Sequence, residues 1–280
     1  MSRLAASGLF LLAQLLLLSL AYADERRLAV LDSSGRERFF PVETLLAEFG
    51  SREVTVFDPQ FGVPRSYRGV PLRPLLAALG LADEDLVLEC TDGYSIALPK
   101  VLLADPALEP VLALADSEPS PGLHWQLYPH GREMVNFDPF YLVWAVRDVD
   151  PHSAAAGERV AELPWPYQLT RLVPADRYYL PSPPPATAQA VRAGYASYVS
   201  HCVKCHRLQG VGGAVGPELD RSGGMLQVLD DSQLQQLILQ VTDYFPRTKM
   251  PVYAGKLGEG ELRDLVNYLR WMTAGDRPPG

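Results

Sequence analysis

Apolar and polar positions follow two different periods along this chain, and the period changes once. From residue 24 to 180, short apolar runs are broken by Gly, Pro and Asp. Val54–Phe57, Leu86–Cys90 and Tyr141–Val146 are such runs, the first and last rich in β-branched and aromatic residues, and predict strands. Leu72–Leu81 and Val101–Leu103 predict short helical stretches, so this half reads as mixed α+β. From residue 188 onward the apolar positions recur at helical spacing. Leu262, Leu265, Val266, Leu269 and Met272 predict a last helix over 260–273. Leu234, Leu237, Ile238 and Val241 predict a middle helix over 232–241, and a first helix is expected over 188–204. The expected architecture is therefore two domains, α+β followed by an all-α domain with long loops.

Pro181-Ser182-Pro183-Pro184-Pro185-Ala186-Thr187 separates the two patterns. Consecutive prolines give a stiff extended spacer. The domain expectation is 24–180, a linker at 181–187, and 188–280. Residues 1–23 read as a secretory leader: Arg3, an apolar run from Leu9 to Leu20, and Ala21-Tyr22-Ala23 as a small-x-small cleavage site. The run is short for a span of about 20 residues, so a soluble periplasmic protein without a stable membrane anchor is expected.

Charge sharpens the division. Residues 24–187 carry 14 Lys+Arg against 24 Asp+Glu, whereas residues 188–280 carry 10 against 9. A chain with a net charge of −8 is a poor nucleic-acid binder. Its field suits either simple solubility or steering of a charged protein partner.

Three cysteines are present, and two lie in Cys202-Val203-Lys204-Cys205-His206. C-x-x-C-H is the attachment pattern of a c-type haem. Two thiols add to the haem vinyl groups, and the next histidine ligates iron from one side. One covalent haem c is the expected cofactor.

Around that motif the segment 188–280 resembles a class I cytochrome c domain. Gly194 and Tyr198 lie eight and four residues before Cys202, where the family places a glycine and an aromatic at the crossing of its first and last helices. Leu265-Val266-Asn267-Tyr268-Leu269 resembles the last-helix pattern that meets that glycine. Gly216-Pro217-Glu218-Leu219 resembles the loop whose proline carbonyl accepts a hydrogen bond from the ligand histidine, which implies that role for Pro217. The resemblance also implies a methionine as second axial ligand. Met250, in Lys249-Met250-Pro251, matches the family's Met-Pro loop; Met225 is the alternative, early for this fold at 19 residues after His206. His201 is read as an exposed helix residue rather than a ligand. The implied metal ligands are His206 and Met250, with Cys202, Cys205 and Pro217 completing the cofactor site.

In the first half, Ser66-Tyr67-Arg68-Gly69-Val70-Pro71-Leu72 opens a predicted helix, and Asp92-Gly93-Tyr94 follows as a hairpin. Together these resemble the molybdopterin-binding domain of the sulfite oxidase class over residues 40–175. In the catalytic family a cysteine upstream of the first motif ligates molybdenum, and residues 24–66 contain none. Cys90, downstream on an apolar strand, reads as a small buried hydrophobe. Arg65, Arg68 and Arg73 are the candidate holders of a pterin phosphate. His124, His130 and His152 show no metal-ligand spacing, and Trp125, Trp144 and Trp165 read as core. The missing cysteine argues against molybdopterin. The leading reading is a one-electron carrier that serves periplasmic redox partners, its first domain docking a partner or binding a ligand. The alternative is a molybdopterin-dependent oxidoreductase with a fused haem relay.

Overall fold

The computed structural model describes residues 26–117, 124–130 and 133–274. The leader expected at residues 1–23 lies outside the described residues. The chain divides into two compact units. One comprises residues up to Thr91 together with Ile96–Ala175, the other Asp92–Ser95 together with residues from Asp176 onward.

The first unit is α+β. Its elements run β1 (Arg27–Leu31), β2 (Glu37–Pro41), α1 (Val42–Phe49), β3 (Arg52–Asp58), β4 (Val63–Pro71), α2 (Leu72–Ala78), β5 (Leu86–Cys90), β6 (Ser95–Leu98), α3 (Lys100–Ala104), β7 (Leu108–Asp116), β8 (Tyr128–His130), β9 (Glu133–Val135), β10 (Tyr141–Val146), α4 (Ala154–Val160) and β11 (Leu169–Pro174). One sheet has the order β2-β1-β11-β5-β6, and a second has the order β10-β7-β4-β3. The β1 and β11 strands pair in parallel although they stand at opposite ends of this unit's sequence. Both sheets contribute to one core, in which Leu28, Leu88, Leu112, Leu142 and Trp144 are fully buried. The Trp144 indole N–H donates to the Pro164 carbonyl at 2.7 Å, so its one polar atom is satisfied. Trp165 is buried and Trp125 partly so, both packed with the core.

The helix expected over Leu72–Leu81 starts where expected and stops at Ala78. Pro74 falls in its first turn, where the missing N–H removes no helical bond. A buried polar cluster holds the turn after β3. Asp58 is fully buried and accepts the Tyr67 hydroxyl at 2.5 Å and the Tyr141 hydroxyl at 3.1 Å. It also accepts the Gln60 backbone N–H at 2.7 Å. Burial holds this carboxyl above its ordinary pKa, against the lowering effect of those donors.

α5 (Ala175–Tyr178) comes directly after β11. The second unit then holds α6 (Gln189–Ser197), a π-turn at Tyr198–Cys202, α7 (Met225–Val228), α8 (Asp231–Leu239), α9 (Val241–Tyr244) and α10 (Glu259–Thr273). The all-α expectation for this segment is corrected: it is helical only in part, because residues 203–224 and 245–258 contain no helix. Those stretches are rich in Gly and Pro, which end helices and favour turns. The single helix expected over 188–204 is also corrected. Its α-helical part ends at Ser197, and the Val203 N–H reaches back five residues to the Tyr198 carbonyl at 3.0 Å. Such a bulge inserts one residue into a turn and re-aims the chain beyond it. The middle helix is split, α8 ending at Leu239 and α9 starting at Val241. Asp230 starts α8 with a capping box: its carboxylate accepts the Gln233 N–H at 2.8 Å, and the Gln233 side-chain oxygen accepts the Asp230 N–H at 3.0 Å. α10 buries Leu262, Leu265, Val266, Leu269 and Met272, the face its periodicity predicts. Among the described residues, no helix is long and apolar enough to cross a membrane.

Candidate functional site: a haem cavity in the second unit

α6 and α10 cross at Gly194. A Cβ added there would lie 1.9 Å from the Asp264 carbonyl oxygen and 2.7 Å from Tyr268 Cβ, so only glycine permits this approach. The Tyr198 and Tyr268 rings meet beside the crossing with centroids 5.5 Å apart. This junction fixes the end of α6 against the last helix and so fixes the π-turn that carries Cys202.

The turn after Cys202 is tight. The N–H groups of Cys205 and His206 both donate to the Cys202 carbonyl, at 3.0 and 2.9 Å. Cys202, Cys205 and His206 consequently line one cavity of about 700 Å³. That volume lies within the range of about 300–1,000 Å³ usual for cofactor sites. Its apolar walls include Leu226 from α7, Leu234 and Ile238 from α8 and Leu269 from α10, all buried.

His206 Nδ1 donates to the Pro217 carbonyl at 2.8 Å; a carbonyl only accepts, so this bond fixes the tautomer and leaves Nε2 as the lone-pair nitrogen. Burial pushes the imidazole pKa down, which favours the neutral form a metal requires. Gly216 lies against the ring: a Cβ there would come within 2.3 Å of His206 Cε1. Burial also pushes the Cys202 thiol up to about 12, and Cys205 in the same direction.

Both candidate methionines line the cavity. Met250 is half-buried and its N–H donates to the Thr248 hydroxyl at 3.0 Å, whereas Met225, at the start of four-residue α7, is 43% exposed. Met272 is buried in the α10 core face, and Met134 belongs to the first unit.

His201 is half-buried rather than exposed. It lines the cavity, its Nε2 lies 3.5 Å from a Glu261 carboxylate oxygen, and its ring packs edge-on to Tyr253 at 5.8 Å. Two functional contacts are not legible in sequence. The Tyr253 hydroxyl donates to the His201 carbonyl at 3.0 Å, tying the methionine loop to the π-turn. Arg270 of α10 donates to the carbonyls of Leu226 and of Leu229 (2.6 Å) and pairs with Asp231 at 2.8 Å, so it holds α7 and the start of α8 as a cavity wall. An aromatic three residues after Met250 and an arginine off the apolar stripe of α10 are the only sequence traces of these contacts.

In the first unit the three candidate arginines do not converge on one site. Arg73 donates to the carbonyls of Leu103 and Asp105 at 2.6 and 2.5 Å. Arg65 donates to the Tyr128 hydroxyl at 2.6 Å, stacks on Phe61 and lies 3.6 Å from Asp116. Arg68 sits half-buried on β4, opposite Glu53 in register. Cys90 is buried at the end of β5.

Two thiols and a tautomer-fixed imidazole line one apolar cavity, the donor set that a covalently bound haem requires. Residues 189–269 match the family described as cytochrome c oxidase, cbb3-type, subunit III. That segment is a cytochrome c domain, which brings covalently bound haem c and haem-based electron transfer. The match concerns this domain, under a third of the chain, and not the whole protein. No curated protein matches the chain. The residues present fit the haem: the thiols stand within the same cavity as His206, His206 keeps a free nitrogen, and Gly216, lacking a Cβ, leaves room for the His206 imidazole.

Proposed function

We propose that this protein is an exported one-electron carrier with a single haem, tethered by Cys202 and Cys205 and ligated by His206 and Met250. A haem held there by His206 and Met250 would supply one-electron Fe(III)/Fe(II) chemistry and would leave no place at the iron for substrate. The observation that carries this reading is the His206–Pro217 hydrogen bond inside a cavity that also holds both cysteines. It orients the imidazole and raises its basicity as a ligand. Met250 is favoured over Met225 because it is the less exposed of the two and stands in a loop tied through Tyr253 to the haem-attachment turn.

The leader at residues 1–23 and the need of C-x-x-C-H proteins for attachment outside the cytoplasm support a periplasmic location. We read the first unit as a relative of the sulfite oxidase-type molybdopterin domain that works without molybdenum and docks a redox partner or binds a ligand. The Ser66–Leu72 motif supports the kinship. The buried Cys90 and the structural engagement of Arg65 and Arg73 argue against a metal-pterin site.

Met250→Ala tests the ligation. It should abolish the far-red sulfur-to-iron band of the oxidised protein, and Met225→Ala should leave that band intact. The reverse pattern would transfer the ligand role to Met225. Metal analysis of the full chain is expected to give one iron and no molybdenum; one molybdenum per chain would refute the electron-carrier reading of the first unit.

A further inference from the structure

The cavity wall carries four formally charged side chains: Arg221, Arg247, Lys249 and Glu218. That is a net of +2 around an apolar cavity on a chain whose net charge is −8. Among the described residues, none of the three cations makes an ion pair or a side-chain hydrogen bond. Arg270 and Arg171, by contrast, each engage carboxylates or carbonyls through several nitrogens. The unpaired cations are not confined to one segment. Arg221 lies four residues after Pro217, whose carbonyl accepts from His206; Arg247 lies three residues before Met250.

A haem brings two carboxylates on its propionate arms. Drawing carboxylates toward an apolar cavity costs free energy unless donors meet them. An arginine fork matches a carboxylate with two parallel N–H···O bonds, while a lysine offers a point charge. Resting on the haem reading above, we propose that Arg221 and Arg247 each take one haem propionate, and that Lys249 contributes only its field. The +2 of the cavity wall then balances the −2 of the cofactor, leaving the haem mouth close to neutral. Both arginines thereby become determinants of the reduction potential, since nearby positive charge favours the reduced haem.

The test uses the full-length holoprotein with Arg221→Gln, Arg247→Gln, the matching Arg→Lys variants, and Lys249→Gln. Covalent haem is quantified first, then the midpoint potential and the propionate-bending bands in the resonance Raman spectrum. Both Arg→Gln variants should keep full covalent haem, show a lower potential and move the propionate bands. The Arg→Lys variants should recover most of the potential and only part of the band position. Lys249→Gln should lower the potential with the bands unmoved. Unmoved bands in both Arg→Gln variants, with haem retained, would overturn the proposal even if the potential fell, because a field without contact accounts for that result. Bands moved in only one variant would overturn the assignment of the other arginine. Should a glutamine variant not fold, the lysine variant at that position supplies the same band comparison. Wild-type protein matured without covalent haem would instead refute the proposed function itself.

Discussion

Replacing Gly194 with alanine tests the helix crossing that holds the π-turn carrying Cys202. Helix propensity alone predicts a gain, since Gly in a helix interior costs about 0.5–1 kcal/mol relative to Ala. Packing predicts the opposite. The new Cβ would stand 1.9 Å from the Asp264 carbonyl oxygen, and real Cβ atoms essentially never approach closer than 3.0 Å. α10 must therefore retreat by about 1.1 Å, and the obstacle is backbone, which no rotamer change relieves. Overpacking typically costs about 1–3 kcal/mol, occasionally more, and a rigid obstacle places this site at the upper end. We expect a net loss of about 2–3 kcal/mol, or roughly 30- to 150-fold in the folding equilibrium. The assay is denaturant unfolding of the full holoprotein, followed at the haem Soret band. Gly260→Ala is the control: it is also in α10, but its added Cβ meets nothing nearer than Arg263 at 3.9 Å. It should be neutral or stabilise by up to about 1 kcal/mol. Gly194→Ala unfolding at or above the wild-type midpoint would refute the argument that the close approach, rather than propensity, decides this position.

Arg270→Met should destabilise the second unit by about 2–3 kcal/mol in the same assay, because it removes charge-assisted bonds to Asp231 and Leu229 and strands part-buried carbonyls; Arg270→Lys should recover only part, lacking the fork. Asp58 predicts a pH dependence in the first unit. Its folded pKa is raised above the unfolded value, so the native state binds the proton more tightly and stability falls as pH rises between the two values. Thermal unfolding read by far-UV circular dichroism should show that downward slope starting near pH 4, and Asp58→Asn should flatten it; an unchanged slope in the variant would assign it to other groups.

Features that depend on neighbours along the chain were legible in the amino-acid order. β5 and β10 fall on Leu86–Cys90 and Tyr141–Val146, short apolar runs of strand length. α10 buries the five residues its 3.6-residue period selects. The spacing of Cys202, Cys205 and His206 is local, so their shared cavity wall was legible as well. Features that depend on residues distant in sequence came only with the folded chain. The parallel β1–β11 pair joins strands more than 130 residues apart, and no local pattern encodes that choice. The π-turn at Tyr198–Cys202 interrupts a segment whose sequence reads as continuous helix. Whether an arginine is a free cation or a structural brace is equally non-local. Arg73 and Arg270 are held by carbonyls 30 to 44 residues away, whereas Arg221 and Arg247, at the cavity wall, make no ion pair or side-chain hydrogen bond among the described residues. A side chain's chemistry is written in the sequence, but its partners are set by which segments the fold brings together.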